Sequence, residues 1–229
     1  MNGLDLYAKI EYLFDFDEVI DYLWDKYIDE LKSLNVKTIL DIGCGSGGFM
    51  QKAKKAGFEI VGIDVSKEMI NNAKQKNLDV YHKDLCDCHQ KFDACVAIFD
   101  VINYMDKDYL KKFFKCVKNV LKDDGYFLFD INTLYGFEEI AQGTLYVGDE
   151  KISGILNSIF NDNVMKTDII VFERQGDCWN RYNGEIVQYF YDNKYLDKIA
   201  PLDFYKNIEI NLYGGDLADK NLLVFKKVC

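Results

Sequence analysis

A glycine-rich segment in the first quarter of the chain carries the clearest chemical signal. It reads Asp41-Ile42-Gly43-Cys44-Gly45-Ser46-Gly47. Glycines at alternate positions let the backbone turn sharply and approach a ligand with no Cβ in the way. A helix predicted to begin near Gly48 would offer unpaired N–H groups and the positive end of its dipole. Such a surface suits a carboxylate or a phosphate equally, so the segment predicts a binding site for an anionic group.

An acidic residue, Asp64, ends the second predicted strand. It follows Gly43 after about 20 positions, the spacing at which an acid accepts the ribose hydroxyls of a bound adenosine. Met69, about one helical turn further on, could lie against an adenine face or could belong to the helix core. The loop and Asp64 together predict a cofactor that contains a nucleoside.

The glycine spacing fits two cofactors. Residues 43–48 match the pattern G-x-G-x-G and, through Gly48, also the dinucleotide pattern G-x-G-x-x-G. Asp41 separates the two, because an acid two positions before the first glycine would face the ligand. There it would attract the methionyl ammonium of S-adenosylmethionine (SAM) and repel the pyrophosphate of NAD. The sequence therefore favours SAM, with NAD as the alternative.

Short apolar strands alternate with helices over residues 17–131. Apolar positions three and four apart predict a first helix at 17–34. The five predicted strands are 38–42, 59–64, 80–82, 92–99 and 126–131; the helices between them are 49–56, 67–76 and 106–121, and a turn is expected at 122–125. This alternation predicts a parallel sheet, doubly wound by right-handed crossovers. Ligands of such sheets bind at the carboxyl ends of the strands, where the glycine loop lies.

The pattern changes after residue 143. Residues 144–191 alternate polar and apolar side chains and contain turn signals, so they predict an antiparallel β insert. A short helix at 193–200 precedes Pro201, and segments 208–213 and 222–228 could form a closing hairpin.

The predicted fold class is therefore α/β, a doubly wound, seven-stranded, mostly parallel, Rossmann-like sheet with an antiparallel β insert after strand five. Residues 1–143 and 192–229 would form the cofactor-binding domain, and residues 144–191 the insert that covers the acceptor site.

Composition narrows the range of partners. The formal net charge is -10, and Arg174 and Arg181 are the two arginines of the chain. Nucleic-acid binders usually present a basic face, so a DNA or RNA partner is disfavoured. No run approaches the roughly 20 apolar residues of a membrane helix, and acidic residues interrupt the N-terminal apolar pattern, which argues against a signal peptide. We expect a small-molecule acceptor, no membrane partner and a cytoplasmic location, and the Lys- and Asn-rich composition suggests a bacterial source.

The seven cysteines are expected to be reduced thiols, because nothing in the sequence indicates export. The segment Cys86-Asp87-Cys88-His89 has a weak likeness to a metal cluster, but no second ligand cluster complements it. We therefore expect ordinary thiols in this segment and no metal.

Taken together, the motifs resemble those of the class I SAM-dependent methyltransferases. Residues 39–47 look like the first motif of that family in full, and residues 61–70 resemble the second. Asp84 and Leu85 fall where the family places the acceptor for the adenine amino group. The resemblance extends in register over about residues 36–131, and it implies SAM as the cofactor and methyl transfer as the activity.

A narrower resemblance concerns the segment 99–104 and the insert. Both are similar to those of small-molecule enzymes related to glycine/sarcosine N-methyltransferases and nucleotide-aminosugar N-methyltransferases. In those enzymes the insert walls the acceptor site and can aid oligomerisation, which implies a homodimer through the insert as a candidate assembly. Tyr7, Ala8 and Tyr12 match part of a frequent N-terminal motif, although Leu13 stands where that motif has Asp.

The resemblance also implies roles for single residues. Gly43 and Phe99 would contact the methionyl part through their backbones, Asp64 would hold the ribose, and Asp84 the adenine amino group. The complete set of expected cofactor-binding residues is Asp41, Gly43, Cys44, Gly45, Asp64, Val65, Met69, Asp84, Leu85 and Phe99.

Residues that could contact the acceptor lie at predicted strand ends and near the N-terminus. The catalytic candidates are Tyr7, Tyr12, Asp100, Asn103 and Tyr104. Tyr7 or Tyr12 could close over the methyl group, but each tyrosine could instead serve packing, and Asp100 could instead cap the next helix. An amine acceptor need only arrive neutral, whereas a hydroxyl needs a base.

We therefore expect an enzyme that transfers a methyl group from SAM to an amine or hydroxyl of a small metabolite by in-line displacement. Positioning and a dry site would supply most of the catalysis. The alternatives are an NAD-dependent oxidoreductase and a non-catalytic SAM-binding protein. Within the methyltransferases, RNA and protein acceptors also stay open.

Overall fold

The computed structural model describes residues 2–228, which fold as two sheets with helices packed around them. The strands in chain order are β1 (Thr38–Ile42), β2 (Glu59–Asp64), β3 (Val80–His82), β4 (Phe92–Ala97), β5 (Leu121–Asn132), β6 (Gly143–Gly148), β7 (Ile152–Asn161), β8 (Val164–Gln175), β9 (Cys178–Tyr189), β10 (Asp203–Ile210) and β11 (Lys220–Lys226). The α-helices are α1 (Gly3–Ile10), α2 (Asp17–Ser33), α3 (Gly48–Lys55), α4 (Lys67–Gln75), α5 (Lys107–Val120) and α6 (Asn193–Ile199).

The larger sheet has seven strands in the order β10-β11-β5-β4-β1-β2-β3. β1 to β5 pair in parallel, while β11 runs antiparallel to both β5 and β10. The reversal of strand order lies between β1 and β4, and their carboxyl ends form the crevice in which such sheets bind ligands. The prediction of a doubly wound, mostly parallel sheet of seven strands is confirmed.

An apolar core covers each face of this sheet, because alternate side chains of a strand point to opposite faces. Ile39 packs with helices α2 to α4 on one face, whereas its neighbour Leu40 packs with α5 and α6 on the other. In β4 the side chains of residues 94–97 are all buried. Burial on both faces explains the continuous apolar run of this strand.

Several strand boundaries differ from the sequence-based expectation. The closing hairpin is formed by β10 at 203–210 and β11 at 220–226, where 208–213 and 222–228 were expected. β5 begins at Leu121, because the residues expected to form a turn, 122–125, belong to the strand. They produce an irregularity in its pairing with β4, where Phe92 pairs with Leu121 and Ala94 pairs with Tyr126. β4 ends at Ala97, two residues early, because Phe99 and Asp100 both have positive φ, +64° and +61°. That backbone conformation cannot continue a strand.

The second sheet is an antiparallel meander of β6 to β9, as predicted for the segment after strand five. Helix α1 packs on it, and Leu6, Ile10, Ile169 and Val171 form part of their common apolar core. The contact is close, because a Cβ on Gly3 would overlap the carbonyl oxygen of Glu185. The N-terminal helix is thus attached to the insert.

A disulfide joins Cys86, in the short helical turn Leu85–Asp87, to Cys116 on α5, with 5.0 Å between the Cα atoms. The expectation of reduced thiols is wrong for this pair. Their separation of 30 residues gave no signal in the sequence, because only the packing of α5 beside the turn brings the sulfurs together. Within residues 2–228, no helix is both long enough and apolar enough to cross a bilayer.

Candidate active site

The glycine loop lies between β1 and α3 and is fixed by the neighbouring strand. Gly43, Gly45 and Gly47 have φ of +74°, +53° and +81°, a region that other residues enter at a cost. The backbone N–H groups of Gly43 and Cys44 donate to the carbonyl of Ile63 at 2.8 and 3.1 Å. The Cys44 side chain is buried beneath the loop. The sequence pattern of the loop therefore reflects its backbone conformation.

Asp64 connects the loop to the end of β2. Its Oδ2 accepts from the Gly45 N–H at 2.9 Å, and its Oδ1 accepts from the Ser66 N–H at 2.7 Å. A Cβ on Gly45 would meet no atom within 4 Å, so this glycine borders open space. The next residue, Val65, is 72% exposed. Asp64 and Val65 thus lie at an accessible edge beside the loop.

Asp41 is a buried carboxyl on β1, 2% exposed. Burial, and then the charge of Asp64, raise its pKa to about 8. A buried carboxyl suits a cationic group of a ligand, because the cation would compensate the cost of ionising it. Asp41 and the open side of Gly45 therefore fit an amino-acid-bearing cofactor such as SAM.

The adenine side of the predicted site is built around Asp84, which follows β3. Its Oδ1 accepts from the Cys86 N–H at 2.8 Å, and its Oδ2 accepts from the Tyr109 hydroxyl at 3.0 Å. Partial burial, and then the contact with Asp84, raise the pKa of Tyr109 to about 12. Sequence analysis missed Tyr109, because it belongs to α5 and not to a motif. Leu85 is buried, and Met69 is half-buried in the first turn of α4.

The backbone turn after β4 is held by a buried acid on the adjacent strand. Asp130 Oδ1 accepts from the Phe99 N–H at 2.8 Å, and Oδ2 accepts from the Asp100 N–H at 3.2 Å. The hydroxyl of Tyr27 on α2 donates to the same carboxylate at 2.7 Å. Asp130 is fully buried. These bonds stabilise two consecutive left-handed residues that would otherwise be unfavourable.

A buried lysine, Lys220, completes this cluster. Its Nζ contacts Asp100 Oδ1, Asp130 Oδ2 at 3.2 Å and Asn132 Oδ1 at 2.9 Å. Burial alone would lower the pKa of Lys220, but Asp100 and Asp130 more than offset that effect and hold the pKa above its usual value. Sequence reasoning did not single out Lys220, because no motif contains it and Asp100 lies 120 residues away along the chain.

Aromatic hydroxyls surround the pair formed by Asp100 and Lys220. Burial, followed by charge effects that include Asp100, raises the pKa of Tyr7, Tyr104 and Tyr213. Tyr104 keeps 37% of its surface exposed. Tyr7 stacks on Phe14 with 5.6 Å between ring centroids. The predicted residues Tyr7, Asp100 and Tyr104, together with Tyr213, are thus close enough for their charges to affect one another.

Two other predicted acceptor residues have different surroundings. Asn103 is buried; its Nδ2 donates to the Tyr189 carbonyl at 2.8 Å and its Oδ1 accepts from the Asn132 N–H at 3.1 Å. Both ends of the Asn103 amide bond to the backbone, and its contact with the acceptor stays a prediction. Tyr12 is 64% exposed and donates to Asp149 Oδ2 at 3.0 Å. Its closure over the methyl group stays a prediction.

The alternative that Asp100 caps the next helix is wrong. Asp100 precedes the short helical turn Val101–Tyr104, and its side chain makes no capping hydrogen bond there. The side chain is directed instead to Lys220.

Comparisons with known proteins agree with this geometry. A sequence-family profile described as a methyltransferase domain matches residues 39–125. The Bacillus subtilis (strain 168) protein named "Putative methyltransferase YqeM" is 30% identical over 185 residues, which cover 73% of this chain and 74% of that protein.

Two solved structures share the fold. An S-adenosylmethionine-dependent methyltransferase from Clostridium acetobutylicum ATCC 824 has a TM-score of 0.80 at 23% identity, over 97% of this chain and 99% of that one. SAM-bound CalS10, an amino pentose methyltransferase from Micromonospora echinaspora, has a TM-score of 0.68 at 16% identity. The match covers 93% of this chain and 91% of CalS10. Of the two cofactors that the glycine spacing allowed, these relationships select SAM over NAD. The chain belongs to the class I S-adenosylmethionine-dependent methyltransferases.

Proposed function

We propose that this enzyme transfers the methyl group of SAM to an amine or hydroxyl of a small metabolite by in-line displacement. The observation that carries the proposal is the polar cluster of Asp100, Lys220, Tyr7 and Tyr213 beside the Phe99 backbone, at the carboxyl ends of β4 and β5. It supplies groups that can orient an acceptor close to the predicted cofactor site.

In this proposal, each part of the cofactor has its own residues. Asp41 meets the methionyl ammonium, with Gly43, Cys44, Gly45 and the Phe99 backbone around the same portion. Asp64 and Val65 hold the ribose, and Met69, Asp84 and Leu85 border the adenine. Burial of Asp41 and the open side of Gly45 support this assignment. When bound, SAM supplies an already activated methyl group, so the chain's residues mainly position the acceptor and exclude water.

Asp100 is the proposed recipient of the acceptor's proton. Burial raises its pKa, the positive charge of Lys220 opposes that rise, and the negative charge of Asp130 adds to it. A carboxylate whose pKa is raised is a better proton acceptor near neutral pH than an ordinary one. Tyr7, Tyr104 and Tyr213 keep their protons, because their pKa values are raised, and they can therefore donate hydrogen bonds to an acceptor.

Two observations favour an amine over a hydroxyl as the acceptor. The cluster contains two carboxylates, Asp100 and Asp130, for the one ammonium of Lys220, a balance that attracts a cationic amine. In addition, the structurally similar CalS10 is an amino pentose methyltransferase. The formal net charge of -10 supports a small molecule over a nucleic acid.

We also propose a homodimer through the insert and a cytoplasmic site of action in a bacterium. β6 is an edge strand of the second sheet, and its Leu145 and Tyr146 are 45% and 67% exposed. An exposed apolar edge can pair with a second copy. Light scattering of the wild-type protein and of Tyr146→Lys tests the assembly: the first should have the mass of a dimer and the second that of a monomer. A monomeric wild type would end this proposal.

An acceptor screen tests the main proposal. SAM carrying a trideuteromethyl group is incubated with amines, amino sugars, their hydroxyl analogues, RNA and a protein extract, and labelled products are identified by mass spectrometry. We expect label on small-molecule amines, and about 100-fold slower transfer by Asp100→Asn at neutral pH, as for loss of a proton acceptor. Label on RNA or protein alone would contradict the proposal.

A further inference from the structure

Lys220, the first residue of β11, is a charged side chain buried inside the protein. It is 2% exposed, and removing an ammonium from water is costly unless it is paired and hydrogen-bonded. Lys220 is both paired and bonded, since Asp100, Asp130 and Asn132 each accept from its Nζ. A buried ion pair is weak evidence for a stabilising role, because apolar residues of similar volume often stabilise a fold equally well.

The partners of Lys220 come from separate elements that meet at one place. Asp100 follows β4, whereas Asp130 and Asn132 belong to β5. Tyr213 follows β10 and Tyr7 lies on α1, and the charges of Lys220 and Asp100 affect the pKa of both. Tyr104 of the short turn Val101–Tyr104 also lies near the pair, and Tyr27 of α2 donates to Asp130. Glu11 and Asp219 act on Tyr7 and Tyr213.

Asp100, Asp130 and Lys220 all make contacts at the turn that follows β4. Asp130 accepts both backbone N–H groups of Phe99 and Asp100 and holds the turn in its left-handed conformation. Lys220 contacts the Asp100 carboxylate directly, and its ammonium bonds to both acids at once.

We propose that Lys220 is a positioning residue for methyl transfer, which fixes the Asp100 carboxylate beside the predicted methyl site and keeps it ionised while Asp130 lies next to it. This inference rests on the proposed function, in which Asp100 receives the acceptor's proton. In that step the cationic amine first gives one N–H proton to Asp100, which frees the electron pair of nitrogen. That pair then forms the new bond to the methyl carbon, the carbon–sulfur bond breaks with its electrons on sulfur, and the positive charge of sulfur passes to nitrogen.

A lysine is needed here because two neighbouring carboxylates resist being ionised together. Without a cation between them, one acid takes up a proton. Burial and the negative charge of Asp130 both raise the pKa of Asp100, and the charge of Lys220 opposes them, so loss of Lys220 would favour protonated Asp100. A protonated Asp100 could not accept a proton from the substrate.

The carboxyl titration of Asp100 tests this proposal and needs no acceptor. Protein labelled with ¹³C at aspartate carboxyl carbons is titrated by NMR with S-adenosylhomocysteine (SAH) bound, and the Asp100 signal is identified by its loss in Asp100→Asn. We expect Lys220→Met to raise the pKa of Asp100 by at least about one unit, as for removal of an adjacent opposite charge. Lys220→Arg, which keeps the charge, should stay within about half a unit of wild type.

The controls separate this role from a purely structural one. If Lys220→Met does not fold, Lys220→Gln takes its place, with amide spectra confirming the native fold. The double variant Asp100→Asn, Lys220→Met should unfold at a higher temperature than Lys220→Met, because the uncompensated carboxylate is gone. An unchanged Asp100 titration in a folded Lys220→Met or Lys220→Gln variant would overturn the proposal, even if an amine acceptor is found. A shifted titration would support it, even if the acceptor screen fails.

Discussion

At the scale of single residues, Asp41 has a property that can be measured directly. Its pKa of about 8 in the folded chain lies above the unfolded value of 3.8. The folded state therefore binds a proton that the unfolded state has lost, and the stability contribution present below the unfolded pKa disappears as the pH rises towards 8. A cationic ligand group would reverse this effect by favouring the ionised form.

Asp41→Asn should consequently separate stability from binding. At pH 7 to 8 without ligand, we expect the variant to be more stable than wild type by about 1–3 kcal/mol, because it has no buried carboxyl to keep protonated. SAH binding should weaken about tenfold or more, as for loss of a charge-assisted contact. Chemical unfolding and calorimetric titration measure the two effects.

The pH dependence of SAH binding is an independent test of the role of Asp41. Wild-type affinity for SAH should rise between pH 6.5 and 8, with release of a proton on binding, and Asp41→Asn should show neither effect. Equal SAH affinity of the two proteins across this range would contradict the role of Asp41.

Gly45 allows a matched test of the loop. A side chain at Gly45 would extend into open space beside the loop, and its φ of +53° makes any Cβ strained. Gly57, at the end of α3, has φ +96° and equally open surroundings, but lies away from the loop. Gly45→Val and Gly57→Val should each lose about 1–2 kcal/mol of stability, while only Gly45→Val should abolish SAH binding in calorimetry. Normal binding by Gly45→Val would mean that the loop does not receive the ligand.

At the scale of elements, the disulfide connects the predicted adenine site to α5. Cys116→Ser should reduce the free energy of unfolding in non-reducing buffer by about 2–4 kcal/mol, since an unlinked chain has more freedom when unfolded. Cys178→Ser, at an exposed free cysteine, is the control and should change little. A reductant should bring wild type to the level of Cys116→Ser, as measured by denaturant unfolding. Identical wild-type curves with and without reductant would argue that this bond does not form in solution.

The contact between α1 and the insert is a second element-scale feature, because it carries Tyr7. Gly3→Ala would overlap the Glu185 carbonyl, and neither side of that contact is a flexible side chain. We expect a loss of about 1–3 kcal/mol and faster proteolysis of the N-terminal segment. Leu4→Ala on the same helix, at a position 42% exposed, is the control. If both variants resist protease as wild type does, α1 is not held by this contact.

At the scale of the whole molecule, local patterns predicted the architecture but not its long-range contacts. The alternation of apolar strands with helices was sufficient to predict the main sheet, the alternation of polar and apolar residues predicted the insert, and the glycines with Asp64 predicted the loop. Each of these patterns lies within a short segment of the chain. Lys220, Tyr109 and Cys116 act on partners that are 120, 25 and 30 residues away. No periodicity marks such residues, so only the packed structure identifies them.

A crystal structure of the SAH complex tests the central claim most directly. We expect the ammonium at Asp41, the ribose at Asp64, the adenine beside Asp84 and Leu85, and the sulfur directed towards the cluster of Asp100, Lys220 and Tyr7. SAH bound with its sulfur directed away from that cluster, or with Asp41 unpaired, would contradict it.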